Sequence, residues 1–382
     1  MSALFQWVDA HTTEIEETYK QLHMHPELGF EEVKTAAFLA GELKKLGFEV
    51  TEKIGGTGVL GVMKGKEPGL TFAVRADMDA LPMQEETGLP YASKVPGVMH
   101  ACGHDSHCTM LLYALKALMA NGGVKRGTLK VVFQPAEEVL GGARAFIASG
   151  LLSDVNEIVG MHVRNNTECK VGEACPAICH SSSWRIRAVV KGKAAHGAWP
   201  HLGINALDGL AAIIGNINAI HADPRVAHSV KCTRCTAGSD ATNIIPDSAE
   251  MSIDVRAQQN PIMKELLAKT KVAIESGAAG VGATAEMVDE GGVPAAELDF
   301  AGLVKDAAAS IEKVCGSVVP PVYTPGGEDF HCFSAEAGIK SAFIGIGADM
   351  GTGGHTTTMQ LDLRALPIGI KIMADLVQTK VG

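Results

Sequence analysis

The sequence predicts an α/β protein in two parts: a discontinuous domain with a mostly parallel sheet flanked by helices, and an inserted α+β domain. Three observations predict this. The chain has 382 residues, more than one hydrophobic core usually supports. Four short apolar runs alternate with helix-patterned segments over its first 165 residues, the signature of strands crossing over through helices. The pattern then changes over 181–290 and reverts from about 291, so the first domain is split, 1–180 and 291–382, around an insertion.

The elements follow in order. In EEVKTAAFLAGELKKLG (31–47), Val33, Ala36, Ala37, Leu39, Ala40 and Leu43 recur at helical spacing and Gly47 stops the run. VLGVMKG (59–65), LTFAV (70–74), LKVVF (129–133) and EIVGMHV (157–163) are unbroken apolar stretches, as strands buried on both faces should be. Helices are predicted at 109–120 and 141–149 between them. In the insertion, WRIRAVVKG, HSVKCTRCTAG, SAEMSIDVRAQ and ATAEMVDE alternate as strands, while INALDGLAAIIGNINAI and PIMKELLAKTKVAIESG have helical periodicity. This βαββαβ order suits an antiparallel sheet with two helices on one side. A helix at 299–313, a strand at SAFIGIG and a closing helix near 366–378 return the chain to the first domain.

Composition narrows the functional classes. Apolar residues make up 46% and charged residues 20%, which is globular, and no repeat or low-complexity tract is present. Lys and Arg total 33 against 43 Asp and Glu, a formal charge of −10 that argues against nucleic acid as a partner. No basic-then-apolar leader and no long apolar span is visible, so a cytoplasmic protein without membrane association is expected. Nine cysteines, an odd number without a secretion signal, are expected as reduced thiols or metal ligands.

The chemistry concentrates just after the predicted strands. RADMD follows LTFAV, QPAEE follows LKVVF, and His162 ends EIVGMHV, so distant segments converge at the carboxyl ends of a parallel sheet. MHACGHDSHC (99–108) crowds three histidines, two cysteines and an aspartate before a helix expected to start near Thr109. Cys102 and His104, one glycine apart, can ligate a divalent metal side by side, with Asp105 or Ser106 capping the helix. Glu137 and Glu138 are adjacent; on an extended segment they point apart, one toward a metal and the other toward a water. With His162, and with His355 in the glycine-rich GTGGHTTTM, the chain holds donors for two divalent ions and leaves Glu137 as general base. Such a set suits hydrolysis of an amide.

These segments resemble a known family. HMHPELGFEE (23–32), RADMDALPM (75–83), MHACGHDSH (99–107), FQPAEE (133–138), GMHV (160–163), AAHGAWPH (194–201), TNIIPDSAEMSIDVR (242–256), PGGEDF (325–330) and GGH (353–355) are similar to the M20 metallopeptidases. The amidohydrolase branch, with hippurate hydrolases, indole-3-acetyl-amino-acid hydrolases and N-acyl-amino-acid deacylases, is the nearest pattern. The resemblance implies a catalytic domain in which Cys102, His104, Glu138, His162 and His355 bind two divalent metals and Glu137 shuttles a proton. Asp77 or Asp79, with Asp77 preferred, would orient a metal ligand. In the inserted domain, read as a lid and homodimer interface, it implies His196 as oxyanion donor and Asn243 and Arg256 as holders of the substrate carboxylate, for which a guanidinium fork is well shaped.

The expected substrate is a small N-acyl amino acid and the expected metal zinc or manganese, with cobalt or nickel as alternatives. A dipeptidase or aminopeptidase of the same fold is the nearby alternative, and a cysteine hydrolase built on Cys102, His104 and Asp105 the more distant one. TTTMQLD after His355 departs from the family pattern. Cys232 and Cys235 form a C-x-x-C, a spacing known from zinc and redox sites, but no second pair lies nearby and the stretch alternates as a strand should, so no such role is assigned.

Overall fold

The computed structural model describes residues 2–351 and 353–382. These group into two compact units. One comprises the chain up to Cys179, Glu297–Tyr323 and Asp329–Gly382; the other comprises His180–Ala296 and Thr324–Glu328. The return of 324–328 to the second unit is a difference from the sequence reading, which placed those residues in the first.

The first unit is built on a seven-stranded sheet in the order Glu49–Ile54, Gly58–Lys64, Arg126–Gln134, Glu67–Asp77, Glu157–Arg164, Lys340–Gly347, Ala174–Cys175. The four strands from Arg126–Gln134 to Lys340–Gly347 run parallel, and the outer pairings are antiparallel. Phe72, Val74, Leu129, Val131, Ile158, Val159, Phe343 and Ile344 are all fully buried in these central strands, which is why they read as unbroken apolar runs. Asp77 pairs in register with Gln134, so the carboxyl ends of the strands emerge together. Two amino-terminal helices, Ala3–Ala10 and Thr12–Met24, were not anticipated; the second buries only Ile15, Tyr19, Leu22 and His23, an apolar stripe too sparse to stand out.

The helix after the histidine cluster runs His104–Ala120, five residues earlier than the sequence suggested. Gly103 caps it at φ 95°, so His104, Asp105, Ser106 and His107 all lie in its first turn. That puts His104 and His107 on one face of the helix rather than in an irregular loop.

The second unit is an antiparallel sheet in the order His228–Ala237, Ser248–Ala257, Ser182–Lys191, Thr284–Val293. Helices Ala206–Asn218 and Asn260–Gly280 pack on one face through Leu210, Ile213, Ile217, Leu266 and Ile274 against Ile186, Val190, Met251, Ile253 and Val255. Among the described residues no helix is long and apolar enough to cross a membrane.

Gly103 carries a testable constraint. A Cβ there would sit 2.5 Å from Val163 Cγ2, in a left-handed conformation that L side chains disfavour. Gly103→Ala is expected to destabilise the protein by about 2–4 kcal/mol, read from the urea midpoint, with the secondary structure retained.

Candidate metal centre

Five segments of the first unit meet at the carboxyl end of its sheet. The ligand atoms of Cys102, His104 and His162 lie within 4.8 Å of one another, as do those of Cys102, Glu138 and His355, and those of His104, Glu137 and Glu138. All five expected metal ligands are thus brought together, and the first two sets share the Cys102 sulfur.

Hydrogen bonds define which nitrogen each histidine can offer. His104 Nδ1 faces two acceptors, the Asp79 carbonyl at 2.9 Å and Asp79 Oδ1 at 3.2 Å, so Nδ1 carries a proton. Nε2 is left buried, without a hydrogen bond among the described residues. It lies 3.8 Å from Asp77 Oδ2, 3.9 Å from Glu137 Oε2 and 4.0 Å from Glu138 Oε1, donors spaced around a common point and too far apart to bond directly. His162 Nδ1 likewise donates to the Val163 carbonyl at 2.7 Å, which leaves Nε2 as a lone pair 3.4 Å from Cys102 Sγ. Buried polar atoms are normally satisfied, and a divalent cation satisfies this set.

Electrostatics agree. Burial opposes a charge on His104, but Asp77 and then the Cys102 sulfur outweigh it and hold the imidazole well above its ordinary value. The field that would keep a second proton there suits a cation. Burial, with the Glu138 carboxylate next, pushes the Cys102 thiol up to about 12, so the protein alone does not make it a nucleophilic thiolate.

The chain matches peptidase family M20/M25/M40 over residues 73–379. It belongs to that family. It is 34% identical over 367 residues, 94% of each chain, to the N-acetylcysteine deacetylase of Bacillus subtilis. It is 41% identical over 256 residues, 66% of each chain, to the hippurate hydrolase of Campylobacter jejuni. Among solved structures it resembles a dinuclear metal-binding peptidase of the M20 family from Bacillus subtilis, with a TM-score of 0.83 and 32% identity over 98% of this chain and 99% of that one. This M20 protein is a metal-binding hydrolase of amide bonds.

Two expectations about the M20 site need correction. Asp77 was preferred as the carboxylate orienting a ligand, but Asp79 sits behind His104 Nδ1 and also accepts the Glu138 backbone N–H at 2.9 Å. Asp77 is instead bound to His107 Nδ1 at 2.6 Å and to Arg75 Nη1 at 2.5 Å. Both aspartates are buried, but the strand ends at Asp77, which remains in the sheet beside Arg75 and Gln134, while Asp79 lies two residues past the strand end. Glu137 and Glu138, expected on an extended segment, lie in a turn closed by Leu140 N–H on the Glu137 carbonyl at 2.7 Å. Their directions come from left-handed residues on either side, Ala136 at φ 55° and Leu140 at φ 58°. Glu32, fully buried, holds the first of these by accepting the Ala136 N–H at 2.8 Å.

His355 is the most exposed ligand candidate, its side chain 56% accessible, and it too is left-handed, at φ 61°. Its backbone N–H donates to the Ala101 carbonyl at 2.7 Å and its Nε2 lies 3.3 Å from Glu138 Oε1. The hydrogen bond to Glu138 raises its pKa.

In the second unit, the short strand Ala195–His196 pairs with Ile244–Ile245, and the Asn243 carbonyl accepts the Gly197 N–H at 2.7 Å, which sets the His196 and Asn243 segments side by side. His196 is exposed and its Nδ1 accepts from Ala198 N–H at 3.0 Å, so its proton sits on Nε2. Arg256 forks onto Asp254, with Nε 3.0 Å from Oδ2 and Nη2 3.0 Å from Oδ1.

Sequence reasoning offered Asp79 only as the second choice of orienter and missed the rest of the layer behind the ligands: His107, Glu32, and a buried chain of acid–histidine–acid. His23 Nδ1 lies 2.6 Å from Asp105 Oδ2 and its Nε2 3.3 Å from Glu85 Oε1. Burial alone would lower the His23 pKa from 6.5, but the hydrogen bonds to Asp105 and Glu85 outweigh it and raise it to about 10. A raised histidine pKa gives stability that is complete below the unfolded value of 6.5 and is lost as pH rises through about 10. Urea midpoints of the wild type should therefore fall between neutral pH and pH 10. His23→Gln should be less stable by about 3–5 kcal/mol at neutral pH, since two buried carboxylates lose their partner, and should lack this alkaline decline.

Proposed function

We propose that this protein is an amidohydrolase of N-acyl amino acids, releasing a carboxylic acid and a free amino acid. The observation that carries the reading is the Glu137 carboxylate, 6% exposed, set within the cluster of ligand atoms with His104 and Glu138. The names of the deacetylase and hippurate hydrolase relatives support the substrate class.

Cys102, His104, Glu138, His162 and His355 would hold two divalent cations, which supply Lewis acidity to the amide carbonyl and acidify water. A thiolate ligand favours zinc, while the carboxylate and imidazoles also accept manganese, cobalt or nickel. Glu137 takes the proton from the attacking water and delivers it to the leaving amine as the tetrahedral intermediate collapses. Asp79 keeps His104 in the tautomer that presents Nε2. His196, with its proton on Nε2, is the donor toward the oxyanion, and Asn243 and Arg256 receive the substrate carboxylate; for Arg256 this means sharing its fork with Asp254. The second unit is the lid, and homodimerisation through it is part of the proposal. A cysteine-nucleophile mechanism is disfavoured by the high pKa of the Cys102 thiol.

Glu137→Gln is expected to keep its divalent metal content by elemental analysis and to lose about 10²–10⁴-fold in kcat on acetyl, benzoyl or indoleacetyl amino acids. Full turnover in that variant would refute the assignment. Chelation should abolish activity and added zinc, manganese or cobalt restore it. In the cobalt-loaded enzyme, Cys102→Ala should remove the thiolate-to-cobalt charge-transfer band.

A further inference from the structure

Cys232 and Cys235 lie on His228–Ala237, the edge strand of the second unit's sheet. In a regular strand, residues three apart point to opposite faces. Here the ladder slips. Cys232 pairs with Ile253, Arg234 with Ser252 and Cys235 with Met251, so this strand takes three steps where its partner takes two. Thr233 is the extra residue of a β-bulge. Ile253 and Met251, each 1% exposed, both point to the helix-covered face, and the cysteines opposite them share it. The two sulfurs are 3.2 Å apart.

The pair differs from the remaining cysteines. Cys108, Cys169, Cys175, Cys179 and Cys332 are buried, Cys102 belongs to the metal cluster, and Cys315 is half-buried on a helix of the first unit, away from this pair in the other unit. Cys235 is exposed and Cys232 half-buried, so a small reagent reaches Cys235 first and finds Cys232 behind it. The ring that a bond between them would close spans only four residues, so it would constrain the unfolded chain less than a bond closing a long loop.

We propose that Cys232 and Cys235 form a reversible dithiol–disulfide site, oxidised by low-molecular-weight disulfides and reduced by dithiols. The Cys235 thiolate attacks one sulfur of the small disulfide and expels the first small thiolate, leaving a mixed disulfide. The Cys232 thiolate then attacks the Cys235 sulfur, forms the intrastrand bond and expels the second small thiolate. The two protons lost by the cysteines pass to the two departing thiolates, and the two electrons lost by the protein reduce the reagent to two thiols. Burial first, and the hydrogen bond with Cys235 next, raise the Cys232 pKa to about 11, in keeping with Cys235 acting first.

The test uses the full-length protein incubated with oxidised glutathione, followed by intact and non-reducing peptide mass spectrometry. The wild type is expected to lose two hydrogens at this pair, carry no adduct on Cys232 or Cys235, and yield one peptide with Cys232 and Cys235 joined. Its labelling by iodoacetamide at both positions should disappear and return on treatment with dithiothreitol. Cys232→Ser should stop at a stable glutathione adduct on Cys235. A persistent adduct on wild-type Cys235, or two thiols that stay fully alkylatable after glutathione treatment, would overturn the proposal, and both are read on the wild type whatever the variant does.

Discussion

A buried arginine makes the catalytic end of the first unit possible. Arg75 is fully inaccessible, yet its Nη1 donates to Asp77 at 2.5 Å, its Nε to Gln134 at 2.9 Å and its Nη2 to Asp329 at 3.1 Å. Asp329 is held in turn by Gln134 Nε2 at 2.7 Å and Ala143 N–H at 3.0 Å. The guanidinium thus ties two neighbouring parallel strands, the start of helix Gly142–Ala148 and the 329 segment into one network. An unpaired charge at that depth would cost several kcal/mol, so each member depends on the others.

Around this network the carboxylates divide their labour. Asp77 is spent on Arg75 and His107, and it also favours positive charge at His104. Burial disfavours its own charge, but the coulombic pull of His104, Arg75 and His107 keeps it well below the ordinary carboxylate range. Asp79 is spent on the His104 tautomer and on the Glu138 backbone. His107 has both nitrogens occupied, by Asp77 and by the Val163 N–H at 3.0 Å, and so supports the cluster without offering a ligand. The atoms that face one another in front of this layer are those of Cys102, His104 Nε2, His162 Nε2, Glu138, His355 and Glu137. Two acids, three imidazoles and a thiol gathered so closely are a natural place for metal and for proton transfer.

Much of this was legible in the chain. Unbroken apolar runs announced the parallel strands because burial on both faces leaves no room for alternation, and residue types with high metal affinity marked the ligand segments. The tautomers were not legible, because they depend on which carbonyl or carboxylate lies behind each ring. Asp77 and Asp79 are indistinguishable in RADMD; a difference of two residues at a strand end sends one into the arginine network and the other to His104. The buried role of His23 was equally hidden, since Asp105 and Glu85 are 82 and 62 residues away.

The sequence by itself determined the α/β layout, the antiparallel insertion and the inventory of donors, since periodicity and residue chemistry are local properties. Tertiary structure decided direction. The left-handed backbone at Gly103, Ala136 and His355 sets where Cys102 through His107, the glutamate pair and the last histidine lie, and one extra residue in an edge strand turns Cys232 and Cys235 to the same side. Side-chain direction follows from φ, ψ and register, and those are fixed by contacts between residues far apart in the chain.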